Sequence, residues 1–173
     1  LSFEKLRGSF GTAGSDNIGD HQYYNTYTVS PLIYNGITGL IPSRLYNPDY
    51  SWEKTKKLEA AIELGFFNNR INVSLAWYKN RSSQQLIGYQ LPVTTGFTSI
   101  LANLNAEVEN RGWEIELQAR PVSSKNFRWE TGFNITFPVN RLISFPGLEQ
   151  STYANTFVLG HSTSVVHLYH LEG

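Results

Sequence analysis

Trp113-Glu114-Ile115-Glu116-Leu117-Gln118-Ala119-Arg120 sets an apolar side chain at every second position against a charged or amide one at the others. After a short link, Phe127-Arg128-Trp129-Glu130-Thr131-Gly132-Phe133-Asn134-Ile135-Thr136-Phe137 repeats the pattern. Side chains switch faces at each residue of a strand and recur every 3.6 residues in a helix, so these stretches read as β. Working outward, Leu58, Ala60, Ile62, Leu64 and Phe66 oppose Glu59, Ala61, Glu63 and Gly65. Ile71, Val73, Leu75 and Trp77 oppose Asn72, Ser74, Ala76 and Tyr78, and near the start Leu6, Gly8 and Phe10 oppose Lys5, Arg7 and Ser9. No helical period competes with the alternation. The expected fold class is all-β, with antiparallel up-and-down strands.

The links between these strands sort by length. Short turns are expected near 67–70 and 121–126, where Asn and Ser suit tight backbone geometry. Long loops rich in Gly, Pro, Asn, Ser and Tyr are expected near 12–51, 87–107 and 144–162. Spans of about 10–18 residues exceed the five to six of a globular strand. Short turns on one side and long loops on the other are how a membrane barrel is built, its strands tilted across the bilayer. Alternation alone does not separate such a wall, greasy outside and polar within, from a soluble sandwich. The aromatics Trp52, Trp77, Trp113, Trp129, Phe66, Phe67 and Phe127 fall near strand ends, where interfacial girdles form. Together these features favour the wall of a transmembrane β-barrel. The alternative is a secreted, lectin-like β-sandwich that binds carbohydrate.

Composition narrows the classes. The 173 residues contain no cysteine, so disulfide frameworks and thiol chemistry are absent. Fourteen basic residues balance fourteen acidic ones, which gives no support to a nucleic-acid partner. Charged residues are 16% of the chain against roughly 25% in ordinary soluble domains. No apolar run approaches the ~20 residues of a spanning helix. Methionine is absent and the chain opens on Leu1-Ser2-Phe3, so the expectation is a piece of a longer protein.

Several blocks resemble one family in order along the chain. Leu6-Arg7-Gly8-Ser9-Phe10-Gly11-Thr12-Ala13-Gly14 is similar to the "LRxSYGxTG" stretch of the SusC/RagA family of TonB-dependent outer-membrane transporters. Asn47-Pro48-Asp49-Tyr50-Ser51-Trp52-Glu53, Leu64-Gly65-Phe66-Phe67-Asn68-Asn69-Arg70 and Leu91-Pro92-Val93-Thr94-Thr95-Gly96 continue it. Glu109-Asn110-Arg111-Gly112-Trp113-Glu114 and Phe127-Arg128-Trp129-Glu130-Thr131-Gly132 complete it; the tail after Ser144 matches more loosely. The resemblance implies a large, 22-stranded transmembrane β-barrel with a plug in the bacterial outer membrane, of which this chain holds about six strands. It implies import of glycan oligomers or peptides, a SusD-like surface lipoprotein as lid, and a TonB complex reached through parts of the protein outside this chain. It implies no enzyme and no cofactor.

Candidate functional residues follow from the two faces and the loops. Tyr23, Tyr24, Tyr27, Tyr34, Tyr46 and Tyr50 crowd the first long loop, and tyrosine offers sugar rings or a lid protein a flat apolar surface plus a hydroxyl. Glu59, Glu63, Glu114, Glu116, Arg120, Arg128 and Glu130 are expected on the polar, lumen-facing side rather than as catalytic carboxylates. His167-x-x-His170 lacks a third ligand at metal-binding spacing, so no metal site is assigned.

Overall fold

The structure is a computed structural model that describes residues 1–15 and 24–168. Its strands are β1 (Phe3–Ser15), β2 (Tyr27–Tyr34), β3 (Ile37–Pro42), β4 (Glu53–Phe66), β5 (Ile71–Gln90), β6 (Ser99–Ser123) and β7 (Arg128–Ser144). Five of them form one sheet in the order β1-β4-β5-β6-β7, and β2 and β3 form a separate antiparallel hairpin. The chain is therefore all-β, with five sheet strands rather than six among the described residues. It divides into two compact units: Leu1–Ala13 with Thr55–Ser82 and Glu107–Gly173, and Gly14–Lys54 with Ser83–Ala106.

In the first unit, tight turns join neighbouring strands. Phe67, Asn68 and Asn69 all take left-handed backbone, with φ of 54°, 54° and 61°. Two asparagines supply the residue type that tolerates it, and the Asn68 amide donates to the Ser2 hydroxyl at 2.8 Å. At the β6–β7 turn the Ser124 amide donates to the Phe127 carbonyl at 2.8 Å, and the Phe127 amide donates back to the Ser124 hydroxyl at 3.1 Å. β6 runs to Ser123 because the register shift between Ala119 and Val122 accommodates Pro121, which has no N–H for the ladder.

Register makes each face continuous. Trp113 stands opposite Phe137, Ile115 opposite Ile135 and Leu117 opposite Phe133, while Glu116 stands opposite Asn134. Between β5 and β6 the Arg120 amide donates to the Arg70 carbonyl at 2.7 Å, and Tyr78 lies against Gly112. This register sets Trp77 opposite Trp113. One face thus reads Leu6, Phe10, Ile62, Leu75, Leu117 and Phe133, and along that stretch the other face carries most of the charges.

The apolar face is open. Leu6 is 74% exposed, Phe10 76%, Phe133 57% and Trp113 49%. Among the described residues the buried apolar side chains are Ala61, Ala106, Val108, Leu142 and Phe145, and none is fully enclosed. A soluble domain of this length hides about 70% of its unfolded surface. The sandwich alternative needs a second layer over Leu117 and Phe133, and these side chains are uncovered.

Past β7 the chain returns to the sheet edge. The Leu142 amide donates to the His161 carbonyl at 2.8 Å and the Gly160 amide donates to the Leu142 carbonyl at 2.8 Å. Asn140 Oδ1 accepts from the Thr163 amide at 2.8 Å and the Thr163 hydroxyl at 2.9 Å. Phe145, Tyr153 and Phe157 stack in series, with ring centroids 6.2 and 5.6 Å apart.

In the second unit, residues 27–42, read from the sequence as loop, fold into the β2–β3 hairpin. Its Asn35-Gly36 turn has φ of 49° and 77°, the left-handed pair a two-residue hairpin requires. Strands also extend through 87–107: β5 ends at Gln90, a 3₁₀ turn covers Val93–Thr95, and β6 starts at Ser99.

Gly112 tests the close approach. A Cβ there would meet the Phe137 carbonyl at 2.8 Å and the Tyr78 hydroxyl at 2.8 Å. Gly112→Val in the full-length protein should therefore cost about 1–3 kcal/mol. The measurement is the thermal midpoint of gel-shifted folded barrel in detergent, and an unchanged midpoint refutes the contact.

Candidate functional site

The polar face of the first unit is built from residues at alternate positions on five strands, each delivered by the pleat rather than by a loop. Glu63 of β4 receives Arg7 Nε at 2.9 Å and Lys5 Nζ at 3.8 Å, both from β1. At the other edge Glu130 of β7 accepts from Arg120 Nε of β6 at 2.6 Å and from Arg128 Nη2 at 2.5 Å. Glu116 accepts from Gln118 Nε2 at 2.7 Å. Each pairing ties a carboxylate to a neighbouring strand or residue while leaving it partly exposed, Glu63 by 30% and Glu130 by 51%, so it positions charge more than it stabilises the fold.

Shallow grooves run between these groups. One of about 550 Å³ is lined by Ser9, Glu59, Tyr78, Asn80, Asn110 and Glu114. A second, of about 270 Å³, lies beside Arg7, Glu63, Asn72, Ser74 and Glu116. A third, of about 370 Å³, lies beside Arg70, Gln118, Arg120 and Glu130. Hydroxyls, amides and carboxylates thus share one surface, suited to exchanging hydrogen bonds with a polar oligomer. All seven sequence-derived wall residues, Glu59, Glu63, Glu114, Glu116, Arg120, Arg128 and Glu130, lie on this face.

The tyrosines are more scattered. Tyr24, Tyr27 and Tyr46 are exposed. Tyr34 ends β2, and Tyr23 lies outside the described residues. Tyr50 is partly buried, and its hydroxyl has no hydrogen-bond partner among the described residues. The segment bearing Tyr46 and Tyr50 is anchored by amides. Asn47 Nδ2 donates to the Leu101 carbonyl at 3.0 Å, and Asn103 exchanges bonds of 2.9 and 2.7 Å with the Ser51 backbone. Asn103 Nδ2 also donates to the Gln84 carbonyl at 2.8 Å, beside a left-handed kink in β5 at Gln84, φ 57°.

His167 is described and His170 is not, and no three potential metal ligands converge among the described residues.

Sequence reasoning missed one cluster. Glu109 is 4% exposed and receives Arg81 Nε at 2.8 Å, Lys79 Nζ at 3.3 Å and Arg111 Nη1 at 3.8 Å. These residues share the apolar face: Lys79 and Arg81 follow Trp77 at the same parity, and Arg111 and Glu109 precede Trp113. The signal available was charge at alternate positions continuing a greasy stripe.

A wide antiparallel sheet, greasy and uncovered on one side and charged on the other, is a section of membrane-barrel wall. Residues 3–160 match the family model "TonB dependent receptor-like, beta-barrel". The chain belongs to that family, whose barrels are outer-membrane proteins. It is 36% identical over 143 residues to TonB-dependent receptor P39 of Formosa agariphila, covering 83% of this chain and 14% of that protein. To TonB-dependent receptor SusC of Bacteroides thetaiotaomicron it is 32% identical over 162 residues, covering 88% and 16%. The RagAB peptide importer in its closed-closed state superposes with a TM-score of 0.80 at 27% identity, covering 93% of this chain and 18% of that one. The resemblance read from the sequence holds, and the chain spans about a seventh of the length of the curated relatives it matches.

The two carboxylate clusters should respond differently to truncation. Glu109→Ala leaves three cations crowded without their shared partner and should lower stability by about 1 kcal/mol or more. Glu130→Ala, on exposed arginines, should leave the unfolding midpoint unchanged. Denaturant midpoints of the full-length variants in detergent decide this, and equal effects refute the distinction.

Proposed function

We propose that this chain forms part of the barrel wall of an outer-membrane, TonB-dependent importer of glycan oligomers or peptides. The observation that carries the reading is the open apolar face, topped by the Trp77–Trp113 pair and backed by a charged, grooved face. Hydrocarbon covers the first and the transport lumen wets the second. The family match and the SusC and RagAB likenesses support it.

The wall does its work without making or breaking bonds in the cargo. Glu59, Glu63, Glu114, Glu116, Arg120, Arg128 and Glu130 offer an oligomer many modest hydrogen bonds, so that it is held but released. Tyr23, Tyr24, Tyr27, Tyr34, Tyr46 and Tyr50 are the proposed contacts for cargo or for a SusD-like lipoprotein lid on the outer surface. Energy comes from a TonB complex acting through parts of the full-length protein other than this wall.

Because this segment contributes no cysteine, single substitutions report each face cleanly. In outer membranes, Glu116→Cys and Asn134→Cys should react with a charged maleimide, while Leu117→Cys and Phe133→Cys should not. Labelling of neighbouring positions without alternation sinks the wall reading. In cells, Tyr46→Ala with Tyr50→Ala should slow uptake of labelled oligosaccharide or peptide while leaving the amount of inserted barrel unchanged. Full uptake removes these two tyrosines from the contact surface.

A further inference from the structure

The charges of the first unit are distributed unevenly between its two faces. On the polar face six cations (Lys5, Arg7, Lys57, Arg70, Arg120 and Arg128) face five carboxylates (Glu59, Glu63, Glu114, Glu116 and Glu130), an excess of one. On the apolar face, just beyond Trp77 and Trp113, Lys79, Arg81, Arg111 and Arg141 surround the single carboxylate of Glu109. Arg141 stands opposite Glu109 in the β6–β7 ladder, is exposed, and forms no ion pair among the described residues. Adding Lys56, across from Arg81, and Glu107, two residues past Glu109, leaves the excess of three positive charges unchanged.

We propose that this cluster binds the phosphorylated headgroup of a glycolipid in the outer leaflet. The inference rests on the reading that the apolar face meets the membrane.

Position is the first argument. Arg111 lies eleven residues along β6 from Val122. At ~3.3 Å per residue and a tilt of ~45° that is about 26 Å along the membrane normal, the height of a barrel's apolar band. Tryptophan rings sit at headgroup level, so the cluster stands in the phosphate plane. Because the pleat turns these side chains outward, they are not available to the lumen.

Chemistry is the second. Glu109 is buried and cannot neutralise four cations, but it holds three of them, Lys79, Arg81 and Arg111: Arg81 gives it Nε, leaving the terminal guanidinium nitrogens for another acceptor. Guanidinium forks fit phosphate oxygens in bidentate fashion, and the mixture of arginines with a lysine suits a multiply charged headgroup. Side chains of Lys79, Arg81 and Arg111 remain 31–44% exposed, so a headgroup can reach them.

The test uses the full-length protein, extracted in detergent and assayed by native mass spectrometry. Its probes are the host's phosphorylated outer-leaflet glycolipid, the same lipid dephosphorylated, and inorganic phosphate. The variant combining Arg81→Gln, Arg111→Gln and Arg141→Gln should retain at least about tenfold less phosphorylated glycolipid, and Arg141→Gln alone about fivefold less. Lys125→Gln, in the turn at the far end of the wall, should match the wild type. Dephosphorylated lipid should bind wild type and triple variant equally weakly, and inorganic phosphate should displace nothing. Wild-type retention by the triple variant overturns the site, as does equal retention of dephosphorylated lipid. Displacement by inorganic phosphate assigns the cluster to a free anion instead, which also overturns it. If the triple variant does not insert, Arg141→Gln decides alone. Absence of the wild-type protein from the outer-membrane fraction would instead sink the importer reading itself.

Discussion

One constraint governs this structure: a long sheet whose apolar side chains are left uncovered by the described residues. Removing such surface from water yields about 25 cal/mol per Å², and a soluble chain gains that by folding one layer onto another. Here Leu6, Phe10, Phe133 and Phe137 stay open, and the few buried apolar side chains are mostly small or lie where the chain after β7 returns. The stabilising contact must come from outside the sheet. In the proposed barrel wall, hydrocarbon would supply it without demanding shape complementarity, and a stripe of unrelated apolar residues suits such a contact.

The same solvent sets the terms for the backbone. In hydrocarbon every N–H and C=O needs a partner, and each unpaired group costs several kcal/mol. Strands β4, β5 and β6 satisfy theirs on both sides, whereas β1 and β7 each have one neighbour in the sheet. A wall of this kind is complete only when both edges are paired. Near its outer end β7 already shows one solution, with the chain at Gly160 and His161 bonded to Leu142. Across the sheet, carboxylates anchored by cations from adjacent strands keep the wet face polar without a core. Beyond the apolar band the greasy face turns cationic within two residues.

How much was legible depended on how strictly a stretch alternates. In Trp113–Arg120 and Phe127–Phe137 every residue could be assigned to a face, and the ladder between β6 and β7 keeps those faces continuous. The hairpin at 27–42 escaped notice because Pro31 and Gly39 interrupt its pattern and both of its faces carry apolar residues, including Val29, Leu32, Ile33 and Leu40. β5 and β6 run into the stretch near 87–107 expected to be loop, β5 to Gln90 and β6 from Ser99. Beyond Trp77 and before Trp113 the positions in line with the apolar stripe hold Lys79, Arg81, Glu109 and Arg111, so hydrophobic alternation stops short of the strand ends. That the seven charged residues share the polar side was legible from parity, but their partners were not, because Lys5 and Arg7 meet Glu63 only across a gap of more than fifty residues.

By itself the amino-acid order determined strand content, the two-faced character of each strand and the residues assigned to each face, because side-chain direction follows from position parity with no long-range information. Tertiary structure decided which strand lies beside which, and therefore which cation meets which carboxylate and how far the greasy band extends. It also decided that nothing among the described residues covers that band. Pairing and coverage depend on register between segments distant in sequence, and local alternation leaves register undefined.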